Sequence, residues 1–178
     1  MNIFIIGAER CGKSTAALHL SQALNCEYAE TGRRVIRELA KFYAKGSEDP
    51  QSVERWAKLI GLHKPEFRKE LGLFGDLITG VSPTHLIDEC LRRARIVVGV
   101  RRRREVLGYF QRYGQGSWKS VWIKIKSTTG QTEKASRYEL AEQPCDFEVI
   151  NDGSPEDLQS KMQSLAQKIQ RVNLTNEN

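Results

Sequence analysis

Short apolar runs alternate along this chain with longer stretches in which apolar residues return every third or fourth position, and these two periods separate buried strands from amphipathic helices. Asn2–Ile6 reads as a strand, and Lys13–Leu24 as a helix with Ala16, Ala17, Leu20 and Leu24 on one face. Residues 26–29 make a second short strand, followed by a helix over 33–44 whose inner side carries Val35, Ile36, Leu39, Ala40 and Tyr43. After the break KGSEDP, residues 52–62 and 65–73 read as helices, and 83–94 place Leu86, Ile87, Cys90 and Leu91 at helical spacing. Residues 96–100 read as a buried strand, 102–113 as an amphipathic helix ending before Gly114, and 121–126 alternate apolar with other residues as a strand does. The polar stretch STTGQTEKASRYELAEQ separates these from a last strand, Phe147–Ile150. Asn151-Asp152-Gly153 then turns into a helix that Ser154 caps, Pro155 opens, and Glu156 and Asp157 favour electrostatically. Leu158, Met162, Leu165, Ile169 and Val172 line its inner side. Alternating strands and helices predict an α/β fold with a parallel sheet and right-handed crossovers. No linker or internal repeat divides the chain, so a single domain over 1–178 is expected.

The connection between the first strand and the first helix adds chemistry to that pattern. GAERCGKS meets G-x-x-x-x-G-K-[ST] at every required position and in the required strand-to-helix context. Gly7 and Gly12 let the backbone curl so that successive amide hydrogens face one anion, to which the helix presents its positive end. Glu9, Arg10, Cys11 and Thr15 border this cradle, Lys13 reaches the outer phosphates, and the Ser14 hydroxyl is the candidate metal ligand. A nucleoside triphosphate, ATP, with Mg2+ is therefore the expected cofactor set.

Composition bounds the remaining possibilities. A chain of 178 residues, 39% hydrophobic and 28% charged, has enough apolar residues for a real core. No apolar stretch has the length to span a bilayer and no basic leader precedes the first strand, so a cytoplasmic protein without a membrane partner is expected. Cys11, Cys26, Cys90 and Cys145 never form C-x-x-C, and His19, His63 and His85 add no zinc spacing, so reduced structural thiols are expected. Only Cys11, near a helix N-terminus, reads as oxidation-sensitive, the other three as small core residues. The net charge of +6 is concentrated in Arg92, Arg93, Arg95 and Arg101 to Arg104 around one strand, and the latter four stand at its carboxyl end, where open α/β sheets bind ligands.

Several stretches resemble the deoxynucleoside monophosphate kinases of the phage type, a branch of the P-loop nucleotide kinases. They are GAERCGKST, FRKELGLFGD from Phe67 to Asp76, IVVGVRRRREVLGYFQRYG from Ile96 to Gly114, and DFEVINDGSPEDLQSKMQSL from Asp146 to Leu165. The resemblance implies a three-layer P-loop fold, with five parallel strands in the order 2-3-1-4-5 and helices on both faces. It implies a substrate-binding arm over about 30–75 and a short lid over about 126–142, in which Arg137, Lys134 and Lys126 are the candidates to reach the triphosphate; the alternative for each, and the favoured one for Lys134, is a solvated surface charge. Arg68 corresponds to the arginine that holds the acceptor's phosphate, by a planar fork of two hydrogen bonds. Arg101 corresponds by position to the arginine of an Asp-x-Arg element, and Thr31 and Asp76 fall on the acceptor side. Asn151 and Gly153 lie in the stretch placed near the adenine.

The implied reaction is transfer of the γ-phosphoryl of ATP to a nucleoside or deoxynucleoside monophosphate. Gly99 departs from the pattern, because the family's strand ends there in an aspartate. Glu30 is the candidate replacement, since it follows the second strand at the same sheet edge; its alternative role is favourable charge at the start of the next helix. The neighbouring acids Asp88 and Glu89 continue a helical stripe and read as helix surface. Phe110 and Tyr113 share the core-facing side of their helix with Val106, which sets nucleic acid below nucleotides as a partner; Arg102 to Arg104 read as helix surface. A nucleic-acid-binding ATPase and a nucleotide-binding regulator without turnover are the competing readings, and a homodimer is compatible with either.

Overall fold

The computed structural model describes residues 1–45, 49–114, 120–127 and 139–175. Five strands, β1 (Asn2–Ile6), β2 (Tyr28–Glu30), β3 (Ile96–Val98), β4 (Ser120–Lys126) and β5 (Phe147–Ile150), pair in parallel in the order β2-β3-β1-β4-β5, the order the resemblance implied. The described helices are α1 (Lys13–Leu24), α2 (Thr31–Tyr43), α3 (Pro50–Leu62), α4 (Arg68–Val81), α5 (His85–Leu91), α6 (Arg103–Tyr113) and α7 (Pro155–Thr175).

Side chains of β1 alternate between two cores, which is why its sequence reads as continuously apolar. Ile3 and Ile5 pack with Ala16, Ala17 and Leu20 of α1 and with Leu158, Met162 and Ile169 of α7. Phe4 and Ile6 point to the opposite face, against Ile87 and Cys90 of α5 and Val106 and Tyr109 of α6. There Phe4 stacks on Trp122 at 4.3 Å and meets the edge of Tyr109 at 4.6 Å. A third, smaller core holds α2 and α3 together through Leu39, Ala40 and Ile60, with Tyr43 stacked on Trp56 at 5.0 Å. Phe67, Leu71 and Phe74 bring α4 onto it.

Several elements differ from their sequence outlines for physical reasons. Asp49 caps α3 by accepting from the backbone N–H of Gln51 and Ser52, so Pro50 opens the helix ahead of the expected residue 52. Helix α4 runs on to Val81, past the expected end at 73, as Phe74 packs onto the α2–α3 core and the buried Thr79 hydroxyl donates to the Gly75 carbonyl at 2.9 Å. Strand β4 is buried on both faces instead of alternating. Lys124 is 6% exposed there, its ammonium donating to the Ala141 carbonyl at 2.8 Å and lying 3.7 Å from Glu148. Tyr109 is the fully buried aromatic of α6, while Phe110 and Tyr113 are half-buried. No helix among the described residues is long and apolar enough to cross a membrane.

Candidate functional site

Parallel pairing brings three strand ends to one edge of the sheet. Ile5 of β1 pairs in register with Val98 of β3, and Glu30 of β2 pairs with the same Val98. The chain leaving each strand therefore emerges side by side with the others: the loop from Gly7, the turn at Gly99, and the start of α2 at Thr31.

The loop is shaped from behind. Gly12 adopts φ +91, and a side chain on it would run into the Asn151 amide. That amide donates to the Cys11 carbonyl at 3.1 Å, while the Asn151 backbone N–H donates to Lys126 at 2.7 Å. Asn151 thus braces the loop with its side chain, and neither it, Gly153 nor Thr15 lines the cleft that opens in front. Lys13 folds over the loop, donating to the Ala8 carbonyl and lying 3.7 Å from the Cys11 sulfur. Burial pushes the Lys13 ammonium below its ordinary value, with the Arg101 charge adding to the effect and Cys11 and Glu9 opposing it. Cys11 is only 2% exposed and packs within the α1–α7 core, so it is a core thiol and not the accessible one its position suggested. Burial likewise pushes Cys90 up to about 11 and raises Cys26 and Cys145.

The neighbouring strand ends are tied to each other. Buried Thr31 donates to the Gly99 carbonyl at 2.8 Å and to that of Val98 at 3.3 Å. Gly99 has φ +89, and a side chain on it would begin 3.2 Å from the Thr31 hydroxyl, so the turn favours glycine here. Glu30 faces the cleft at 19% side-chain exposure and pairs with Arg33 at 3.3 Å.

Another carboxylate, Glu105, stands closer to the turn after Gly99, and the residue patterns did not single it out. It is 2% exposed and accepts from the backbone N–H of Arg101 at 3.0 Å and of Arg102 at 2.8 Å. Burial raises its protonation range, and those two N–H groups partly offset the rise. The available signal was an acid at the third position of a helix, where carboxylates turn back to cap.

Across the cleft stands α4. Arg68 holds Glu9 of the loop in a two-pronged ion pair, with contacts of 2.7 and 3.1 Å. Asp76 is gripped by Arg102 at 2.7 Å and Arg104 at 3.1 Å, and Arg102 also reaches Glu139 at 3.0 Å. Arg102 and Arg104 therefore tie α6 to α4, where the sequence suggested a helix surface. The cleft encloses about 480 Å³, and its walls include Glu9, Lys13, Ser14, Arg68, Asp76 and Arg101. Arg10, Glu30, Thr31 and Glu105 line it as well. Arg137 and Lys134 lie outside the described residues, and Lys126 pairs with Glu148 at 2.6 Å.

Among the described residues, no group of three His, Cys, Asp or Glu side chains could hold a metal ion. The donor set fits Mg2+ in a nucleotide site, because Mg2+ keeps several waters and takes phosphate oxygens, needing only a hydroxyl such as that of Ser14 from the protein.

No protein-family model and no curated protein sequence matches the chain. Among solved structures, a shikimate kinase from Aquifex aeolicus vf5 aligns over 97% of this chain and 99% of its own, at 15% identity and a TM-score of 0.47. An overlap that slight transfers neither a substrate nor a site residue.

Proposed function

We propose that this chain is an ATP-dependent phosphotransferase that moves the γ-phosphoryl group to a nucleoside or deoxynucleoside monophosphate. The observation that carries the reading is a second set of cations, Arg68 and Arg101, on the same cleft as the phosphate loop. A cradle for one triphosphate accounts for Gly7 to Ser14; arginines from two further elements accommodate an acceptor that brings its own phosphate.

In this reading the loop amides and Lys13 hold the β and γ phosphates of the donor. Arg68 holds the acceptor's phosphate, and Arg101 neutralises charge on the group in transfer. Glu30 orients the acceptor's attacking oxygen, Thr31 keeps the strand ends in place, and Asp76 shapes the acceptor wall through its arginine partners. Mg2+ bound by Ser14, when present, supplies charge neutralisation on the donor phosphates. Arg137 is retained as the cation that closes on the triphosphate. Most of the catalysis is positioning and electrostatics, which suits a site built from fixed strand ends.

The nucleic-acid reading has less support, because Arg102, Arg104 and Arg112 are paired with Asp76, Glu139 and Asp88 and are not arrayed along an open stripe. Coupled assays with Mg2+ and ATP against the nucleoside and deoxynucleoside monophosphates, and against hydroxyl acceptors that lack a phosphate, test the proposal. Turnover restricted to the monophosphates is expected. Turnover only with unphosphorylated acceptors, or none with any, would overturn it, and the second result would favour the regulator.

A further inference from the structure

The Arg68 fork grips a carboxylate of the chain itself. Glu9 lies within the phosphate loop, far from α4 in sequence, yet its two oxygens meet the two terminal nitrogens of Arg68 at 2.7 and 3.1 Å. This is the two-pronged geometry with which a guanidinium also holds phosphate. Both side chains are about half exposed, at 50% and 46%, so the pair is held weakly and is open to exchange. Glu9 and Arg68 both line the cleft, so an anion entering there meets the pair directly.

We infer that Glu9 is an internal stand-in for the acceptor's phosphate, competing for Arg68 until a phosphate monoester displaces it. The inference rests on the reading of Arg68 as the acceptor-side arginine. A phosphate dianion wins the exchange because it offers the same two-oxygen geometry with up to twice the charge. The displaced carboxylate sits on the loop that wraps the donor, so Glu9 is a specificity residue for the acceptor: a monoanion must compete with it on equal terms, whereas a dianion does not.

The test fills the loop with the magnesium complex of a non-hydrolysable ATP analogue and titrates inorganic phosphate by calorimetry into wild type, Glu9→Gln, Arg68→Ala and the double variant. Glu9→Gln is expected to tighten phosphate binding by about three- to fivefold, the range set by an exposed ion pair. Arg68→Ala should abolish the binding whether or not Glu9 is present. Unchanged or weakened binding in Glu9→Gln would overturn the inference, the latter making Glu9 a strut that positions Arg68. Glu9→Asp, which shortens the reach and keeps the charge, should fall between wild type and Glu9→Gln. A value at or beyond Glu9→Gln would overturn competition by charge. The titration reads no turnover, so an inactive protein with the expected shift would fail the proposed reaction and leave this inference standing.

Discussion

Lys13 carries its charge at a cost, because burial holds its ammonium below the ordinary range until an anion arrives. Triphosphate binding restores that charge, so on the alkaline side of neutrality the complex should take up protons. Calorimetry of the ATP analogue in buffers of different ionisation enthalpy should detect the uptake in wild type and not in Lys13→Ala, a variant that should also lose transfer by about a thousandfold or more while keeping its fold. Glu105 runs in the other direction. Its folded range is raised by burial, so the native state binds more protons than the unfolded chain between the ordinary carboxylate value and the raised one. Its contribution to stability is therefore present in acid and lost as pH rises through that window. Glu105→Gln, which keeps the shape and removes the charge, should gain melting temperature relative to wild type as pH rises through that window. A gap between the two proteins that is constant with pH would exclude this account. Neither residue's environment is visible in spacing: the motif marks Lys13 as a phosphate ligand and nothing marks how dry its surroundings are.

At the scale of elements, strand and helix types were legible throughout the described residues, because two-sided burial and one-sided amphipathicity leave different periods. The boundaries were less so. A helix continues past residue 73 when Phe74 finds a core to pack on, and β4 keeps a lysine in its interior once Ala141 supplies an acceptor. Those are tertiary facts with no local signature. The loop itself was fully legible, but its brace was not: the amide of Asn151 reaches the Cys11 carbonyl from 140 residues away, a contact with no signature in the spacing. Asn151→Ala should therefore weaken ATP-analogue binding by about fivefold or more and lower stability by about 1 kcal/mol, the scale of one part-buried hydrogen bond. Gly12→Ala meets both a positive φ and the Asn151 amide, so it should cost about 1–3 kcal/mol and most of the binding. On the far wall, Asp76→Asn loosens the grip of Arg102 and Arg104 on α4. A several-fold rise in acceptor KM with unchanged donor KM is expected, measured by varying each substrate in turn.

For the whole molecule, a net charge of +6 sets the competition between a small polyanion and a long one. With Arg102, Arg104 and Arg112 each held by a carboxylate, binding to duplex DNA or RNA should be weak and vanish by about 200 mM salt, while the ATP analogue stays bound. Fluorescence anisotropy across a salt series checks this, and tight salt-resistant binding of the polymer would redirect the assignment. The brace behind the loop also has a consequence for how the protein is made. Cys11 and Asn151 are 140 residues apart, and β5 pairs with β4 only when both are available. During synthesis from the N-terminus, the complete GAERCGKS motif leaves the ribosome long before the amide that shapes it. The nascent chain therefore carries the motif through most of translation without its Asn151 brace, which arrives only as the last strand docks.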